Sequence, residues 1–149
     1  MAEPLRKTKP LYDRDLHAWA EEQAAHARAG RRAALDLEHV AEELESLGAS
    51  QRREIRNRLT ILLCHLLKWA HQSHLRTRSW AATIGEQRRG IAVVLEESPS
   101  LAGHPARVLD KAYADAREAA ADETGLPIET FAAECPFALA QILDRRWMP

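Results

Sequence analysis

The stretch REIRNRLTILLCHLLKW, residues 53–69, decides the fold class because its apolar residues recur at helical spacing. At 100° per residue, one narrow sector of a helix collects Ile55, Leu59, Leu62, Leu66 and Trp69. Further apolar residues surround the other sides of its second half, so other parts of the chain should cover this helix on most sides. We therefore expect a helix from just after Ser50 to about Gln72, at the centre of a helical bundle.

The rest of the chain also has helical periodicity, and no segment alternates with the period of a strand. Gly30, Gly48 and Gly125 follow apolar periodic segments and are typical helix stops. Asp36 and Ser50 are suitable N-caps. Besides the central helix, we expect helices at Asp13–Ala29, Asp36–Leu47, about Ser79–Pro99 and about Pro105–Gly125, followed by short C-terminal helical pieces.

Several apolar sets should face a core. The helix that starts at Asp36 has a stripe formed by Leu37, Val40, Ala41, Leu44 and Leu47. Three tryptophans lie on core stripes, namely Trp19, Trp69 and Trp80. With 149 residues and 46% apolar content, the predicted fold is all-α, a single-domain bundle of about five main helices over residues 11–149. Residues 1–10 contain two prolines and three basic residues and are expected to form a flexible arm.

Bulk composition excludes some classes of protein. The net charge is −1, so no global field drives the chain onto nucleic acid or anionic lipid. The longest nearly apolar run, LTILLCHLLKWA, has 12 residues and is too short to span a bilayer. Cys64 and Cys135 lack metal-binding spacing and suggest free thiols in a reducing compartment. We expect a cytoplasmic protein without membrane association.

Charge is nevertheless segregated along the sequence. Residues 51–90 contain nine basic and two acidic side chains, a net charge of +7, whereas both flanking segments are acidic. This basic centre is either a binding surface, with RNA as one ligand, or a face neutralised by its own flanks in the fold.

Arg58 and His65 are the first candidates for catalysis. They lie on the same edge of the predicted central helix, where an arginine can hold a phosphate and a histidine can move a proton. The Arg-x6-His spacing resembles an element of the HEPN ribonucleases, although Leu59 stands where that family has a polar residue. Lys68 is a third candidate beside them. The alternative is a half-buried His65 bonded to a neighbouring carbonyl or carboxylate.

Gln87 and Arg88 flank the apolar stripe of the helix near residues 79–99. Long polar side chains in that position must be satisfied. Arg88 pairs either with an acid of the preceding helices, such as Glu42, Glu43 or Glu45, or forms part of a polar pocket beside His65 and Lys68.

A metal-dependent enzyme is a third reading, based on Glu42, Glu45 and His65. The strict Glu-x-x-His pattern of di-iron bundles and a Cys/His zinc quartet are both absent from the sequence. Glu42 and Glu45 also share the helix face opposite the apolar stripe. We therefore expect no metal and no cofactor.

Several ordered pieces of the chain resemble a bacterial family known only as domain-of-unknown-function family 29. These pieces are EELESLG (42–48), HLLKW (65–69), SWAATIGEQRRGI (79–91), SPSL (98–101), AYADAR (112–117) and ECPFALAQILD (134–144). The resemblance implies an all-α domain and no known activity. Recognisable positions of that pattern, without an assigned role, are His65, Lys68, Trp69, Ser79, Trp80, Gln87 and Arg88.

No catalytic signature stands out in the sequence. We therefore expect a non-enzymatic module that forms homo-oligomers or binds a protein partner. The candidate binding residues are Glu42, Glu45, Trp69, Ser79, Trp80, Gln87 and Arg88. An RNA-binding protein or metal-independent ribonuclease that uses Arg58 and His65 is the alternative.

Overall fold

A computed structural model describes residues 9–149, which form six α-helices and no β-strand. Short 3₁₀ turns link several of them. The predicted all-α class is confirmed, while residues 1–8 of the expected arm lie outside the described residues. The helices are α1 (Leu11–Arg14), α2 (Leu16–Arg28), α3 (Leu37–His71), α4 (Arg78–Glu97), α5 (His104–Thr124) and α6 (Leu139–Leu143).

The predicted first helix is interrupted at Asp15. This residue is extended, with φ −155° and ψ 88°, and its carboxylate accepts a hydrogen bond from the backbone N–H of Ala18 at 2.9 Å. Asp15 therefore ends α1 and caps α2, because a short acceptor side chain satisfies a free N–H of the next helix. The predicted stop after α2 is confirmed, since Gly30 has a φ of +69°.

The predicted break at Gly48 is wrong, because α3 runs without interruption from Leu37 to His71. Glycine in a helix interior costs only about 1 kcal/mol relative to alanine, and the residues after it continue the helical pattern. A glycine stop needs the left-handed conformation. Among the described glycines, Gly30 and Gly125 have a positive φ.

The ends of α4 and α5 follow local signals. The Thr77 hydroxyl accepts a hydrogen bond from the backbone N–H of Trp80 at the start of α4. Pro99 follows the end of α4, and Pro105 lies in the first turn of α5. Gly125, with φ +70°, ends α5. The predicted proline and glycine boundaries of these two helices are confirmed.

The chain divides into two compact units, one that ends at Gly48 and one that begins at Ala49. In the second unit, the middle of α3 is the centre of the core, as predicted from the opening stretch. Its fully buried apolar residues include Ile55, Leu59, Leu62 and Leu66, with Ile84, Ile91, Phe131 and Ile142 from other elements. The single domain expected over residues 11–149 stays a prediction.

No helix among the described residues combines the length and apolar character that a membrane crossing requires.

Candidate functional site

His65 lies half-buried on α3 and bonds to its own helix. Its Nδ1 donates to the backbone carbonyl of Ile61, one turn earlier, at 2.9 Å. Nδ1 therefore carries a proton, and Nε2 is the nitrogen that can accept one. From the sequence we drew two possibilities for His65, a catalytic role and a half-buried side chain bonded to a neighbouring carbonyl or carboxylate, and this bond matches the second. Arg58 lies seven residues earlier, about 10 Å along the helix axis, and no hydrogen bond joins the two side chains.

Arg58 is held by three groups of the second unit. Its Nε donates to Glu54 Oε1 at 2.9 Å, and its Nη1 donates to Gln87 Oε1 at 3.2 Å. The guanidinium also lies against the backbone of Gly90, in the space that a Cβ would fill. The carboxylate of Glu54 balances its charge. A cavity of about 360 Å³ borders this group and is lined by Ser50, Arg53, Glu54, Asn57, Arg58, Ile61 and Gln87.

Lys68 is buried in the same unit and has two partners. Its Nζ donates to Glu123 Oε2 at 2.8 Å and lies 4.5 Å from the ring centroid of Trp80. The hydrogen bond from Lys68 lowers the pKa of Glu123. A lysine nitrogen that is paired with a carboxylate and covered by an aromatic face is held in place by these contacts and is poorly placed to act as a nucleophile. The cluster of Lys68, Trp80 and Glu123 connects α3, α4 and α5.

Cys64 lies beside this cluster, with Sγ 3.8 Å from Glu123 Oε2. Burial first, and then the charge of Glu123, raise the pKa of its thiol to about 12. Burial also raises the pKa of Cys135. Both cysteines are free. Because a thiolate is the reactive form of cysteine, Cys64 is unsuited to nucleophilic chemistry.

Trp69 and Trp80 are only partly buried, so the prediction that both rings belong to the core is correct only in part. The guanidinium carbon of Arg76 lies 5.0 Å from the Trp69 ring centroid, and its Nε donates to the Trp69 carbonyl at 2.9 Å. Each ring thus has a cation on one face. Ser79 is exposed in the first turn of α4.

Arg88 is 4% exposed and bonds to backbone rather than to an acid. Its Nε donates to the carbonyl of Ile142 at 2.7 Å, and its Nη2 lies 3.5 Å from the carbonyl of Gln141. The prediction that an acid such as Glu42, Glu43 or Glu45 pairs with Arg88 is wrong. Carbonyls near the end of a helix carry partial negative charge and satisfy a buried guanidinium in this way. Burial lowers the pKa of Arg88.

Glu42 and Glu45 are exposed on α3, with no ion pair to a described residue. In residues 9–149, no group of three or more His, Cys, Asp or Glu side chains is placed to hold a metal ion. Glu42, Glu45 and His65 therefore do not form the cluster that the metal hypothesis requires.

The first unit contains a hydrogen-bonded pair at the start of α3. The Nδ1 of His39 lies 2.6 Å from Asp36 Oδ2, and the same carboxylate accepts from the indole N–H of Trp19 at 3.3 Å. Asp36 also accepts from the backbone N–H of His39, so its predicted capping role is confirmed. The bond to His39 lowers the pKa of Asp36, and the same bond raises the pKa of His39.

Tyr12 covers this pair. Its ring stacks on His39 with centroids 3.8 Å apart, and its hydroxyl donates to Glu43 Oε1 at 2.7 Å. The hydrogen bond to Glu43 is the main cause that raises the pKa of Tyr12 to about 12. The phenol is therefore a structural donor and stays protonated at neutral pH.

An apolar stripe on the first part of α3 is uncovered. Leu37, Leu44 and Leu47 are 66%, 64% and 61% exposed, and Val40 between them is half-buried. The prediction that this stripe faces a core is wrong for the three leucines. Helical periodicity identifies an apolar face, but it does not show what covers that face.

A family model described as Domain of unknown function DUF29 matches residues 11–148, nearly the whole chain. The chain belongs to the DUF29 family. No curated protein and no solved structure matches it. Membership of DUF29 confirms the resemblance drawn from the sequence and assigns no activity to the site residues.

One important partner residue of this DUF29 chain, Glu123, was missed from the sequence. Glu123 neutralises Lys68, and Gly90 accommodates Arg58. Gly90 lies inside a helical pattern that continues on both sides of it, and such a glycine is a sign of close packing. No local pattern identifies Glu123, because 55 residues separate it from Lys68.

Proposed function

We propose that this DUF29 protein is a non-enzymatic helical module that self-associates through the apolar stripe formed by Leu37, Val40, Leu44 and Leu47. The observation that carries the proposal is the exposure of three leucines along one face of α3. Contiguous exposed apolar residues on a soluble domain mark interaction surfaces more often than isolated ones do. The cytoplasmic location and bacterial origin inferred from the sequence remain predictions.

The spacing of the stripe favours a second copy of the same chain as the partner. The four residues are separated by three, four and three positions, a pattern that reads the same from either end. Two antiparallel copies related by a two-fold axis would place Leu37 opposite Leu47 and Val40 opposite Leu44. Each apolar residue then meets another. The carboxylates of Glu42 and Glu45 lie on the opposite face of the helix and do not enter the contact.

The size of the stripe indicates a modest affinity. Removing the exposed parts of six leucines from water contributes about 1–2 kcal/mol for each side chain. The loss of translational and rotational freedom on association opposes this gain by about 4–15 kcal/mol. Even the most favourable end of both ranges leaves about 8 kcal/mol, which corresponds to a micromolar dissociation constant, so we expect a dimer no tighter than micromolar that dissociates on dilution.

Sedimentation equilibrium over a range of protein concentrations tests the proposal. We expect a monomer–dimer equilibrium for the native sequence and a monomer for the double variant Leu44→Gln, Leu47→Gln. The matched control is Leu75→Gln, Val93→Gln, since both residues are 48% exposed and lie outside the stripe. A native protein that stays monomeric at all concentrations, or a dimer that both double variants weaken equally, would overturn the proposal.

A further inference from the structure

A second concave surface lies in the unit that begins at Ala49, between α3 and the start of α5. The cavity has a volume of about 220 Å³ and is lined by Ala49, Arg52, Arg53, Arg56, His104 and Val108. Three arginines and a histidine thus border one small space, and its lining contains no carboxylate. This differs from the neighbouring cavity, where Glu54 balances Arg58.

The three arginines of this cavity have no side-chain partner among residues 9–149. No ion pair or side-chain hydrogen bond links Arg52, Arg53 or Arg56 to a described residue. Arg52 and Arg56 are one helical turn apart, where like charges destabilise a helix by a few tenths of a kcal/mol. The fold therefore keeps a concentration of positive charge that its own acids do not neutralise.

The start of α5 also lines this cavity. His104 is the first residue of this 21-residue helix, and its N-cap, Gly103, provides no side-chain acceptor. Free N–H groups and the positive end of the helix dipole therefore add to the charge of the arginines. This effect alone would not define a site, but it acts in the same direction as the guanidinium groups.

We infer that the cavity formed by Arg52, Arg53, Arg56 and His104 binds a phosphoryl group. Guanidinium groups donate two parallel hydrogen bonds to oxyanions, and a phosphoryl group accepts from several donors at once. Such a group belongs either to a free small phosphate or to a nucleic-acid strand. The inference is independent of self-association and places anion binding away from the Arg58 and His65 pair.

Calorimetric titration of the native protein with inorganic pyrophosphate, and with a short single-stranded RNA, tests the inference. The variants are Arg52→Gln and Arg56→Gln, and the matched control is Arg89→Gln, an exposed arginine on α4. We expect each cavity variant to weaken binding about five- to tenfold, within the range of charge-assisted contacts at half-exposed sites. The control should bind like the native protein.

The two ligands distinguish the sources of the phosphoryl group. Pyrophosphate binding that depends on Arg52 and Arg56 supports a free small phosphate as the ligand. Binding of RNA alone, with the same dependence, supports a nucleic-acid strand. The inference is overturned if neither ligand binds, or if Arg89→Gln weakens binding as much as the cavity variants do. Thermal unfolding of each variant checks that these substitutions leave the fold intact.

Discussion

The guanidinium of Arg58 occupies the space in which a Cβ on residue 90 would lie. Its Cζ and Nε are 2.5 and 2.6 Å from that position, and Nη1 is also within contact distance. Gly90 therefore lets Arg58 lie flat against α4 and reach the side-chain oxygen of Gln87.

Gly90→Ala should destabilise the protein despite its better helix propensity. The new methyl group displaces the flexible end of Arg58 and leaves the side-chain oxygen of the buried Gln87 without this donor, a loss of about 1–3 kcal/mol against a gain of about 1 kcal/mol in propensity. Urea unfolding measures the difference. Gly85→Ala is the control in the same helix, because its Cβ would meet only the flexible end of Arg89 at 3.2 Å. It should stabilise the protein by up to about 1 kcal/mol. Equal stabilisation by both substitutions would contradict the packing of Arg58.

Arg88→Met should lower the free energy of unfolding by about 1–3 kcal/mol, because the buried carbonyl of Ile142 loses its donor. Methionine retains much of the aliphatic volume, so the lost hydrogen bond should dominate the change. In the Arg88→Met variant, backbone amide hydrogen exchange should become faster than in the native protein in residues 139–148, and should change less in α5. Arg89→Met, at the exposed neighbouring position, should change stability by less than about 0.5 kcal/mol. Unchanged exchange near residue 142 would show that Arg88 does not hold this segment.

The pair formed by Asp36 and His39 should make stability depend on pH. The raised pKa of His39 gives a contribution that is complete below its unfolded value of 6.5 and is lost as pH rises through the folded value. The lowered pKa of Asp36 gives a contribution that is present above its unfolded value of 3.8 and is lost as pH falls through the folded value.

The stabilisation of the native protein relative to His39→Gln should therefore be greatest between about pH 4 and about pH 6.5 and decline above that window. Urea unfolding at a series of pH values provides the comparison. Two acids near His39 on α3, Glu38 and Glu42, also raise its pKa. The Glu42→Gln variant should therefore lower the pKa of His39, so that the stabilisation declines at a lower pH than in the native protein. A difference that does not vary with pH would argue against the pair.

Cys64 should resist thiol reagents until the protein unfolds. Burial and Glu123 raise its pKa to about 12, so almost no thiolate is present at pH 8. The variant Cys135→Ser isolates Cys64 for labelling with a chromogenic disulfide. Its reaction rate should rise with urea in parallel with unfolding. Fast labelling in buffer would mean that the thiol is accessible in the native state.

The sequence predicted those parts of the fold that depend on local chemistry. Gly30 and Gly125 end helices, as expected from the sequence, and both adopt a positive φ. Gly48 lies inside α3, although the residues after it are no better helix formers than the residues after Gly30, so local composition did not decide which glycine ends a helix.

Long-range partners could not be predicted in this way. Arg58 meets Gln87 across 29 residues and Arg88 meets Ile142 across 54, and such pairs depend on how whole helices pack. The exposure of Leu44 could not be predicted for the same reason. Apolar periodicity shows that one face of a helix is apolar, but it does not show whether another element packs against that face. The cavity lined by Arg52, Arg53, Arg56 and His104 could not be predicted either. The sequence showed only a basic segment, and the cavity depends on how the start of α5 packs beside Arg56.

The hydrogen bond from Arg88 to the carbonyl of Ile142 also has a consequence for when the second unit can fold during translation. A ribosome makes α4 well before residues 141–142, so the guanidinium first emerges without its acceptor. Until then it must remain hydrated, and the core around α4 cannot close over it without leaving a buried charge unsatisfied. We therefore expect the second unit to complete its folding late, once the segment that holds Ile142 has been translated.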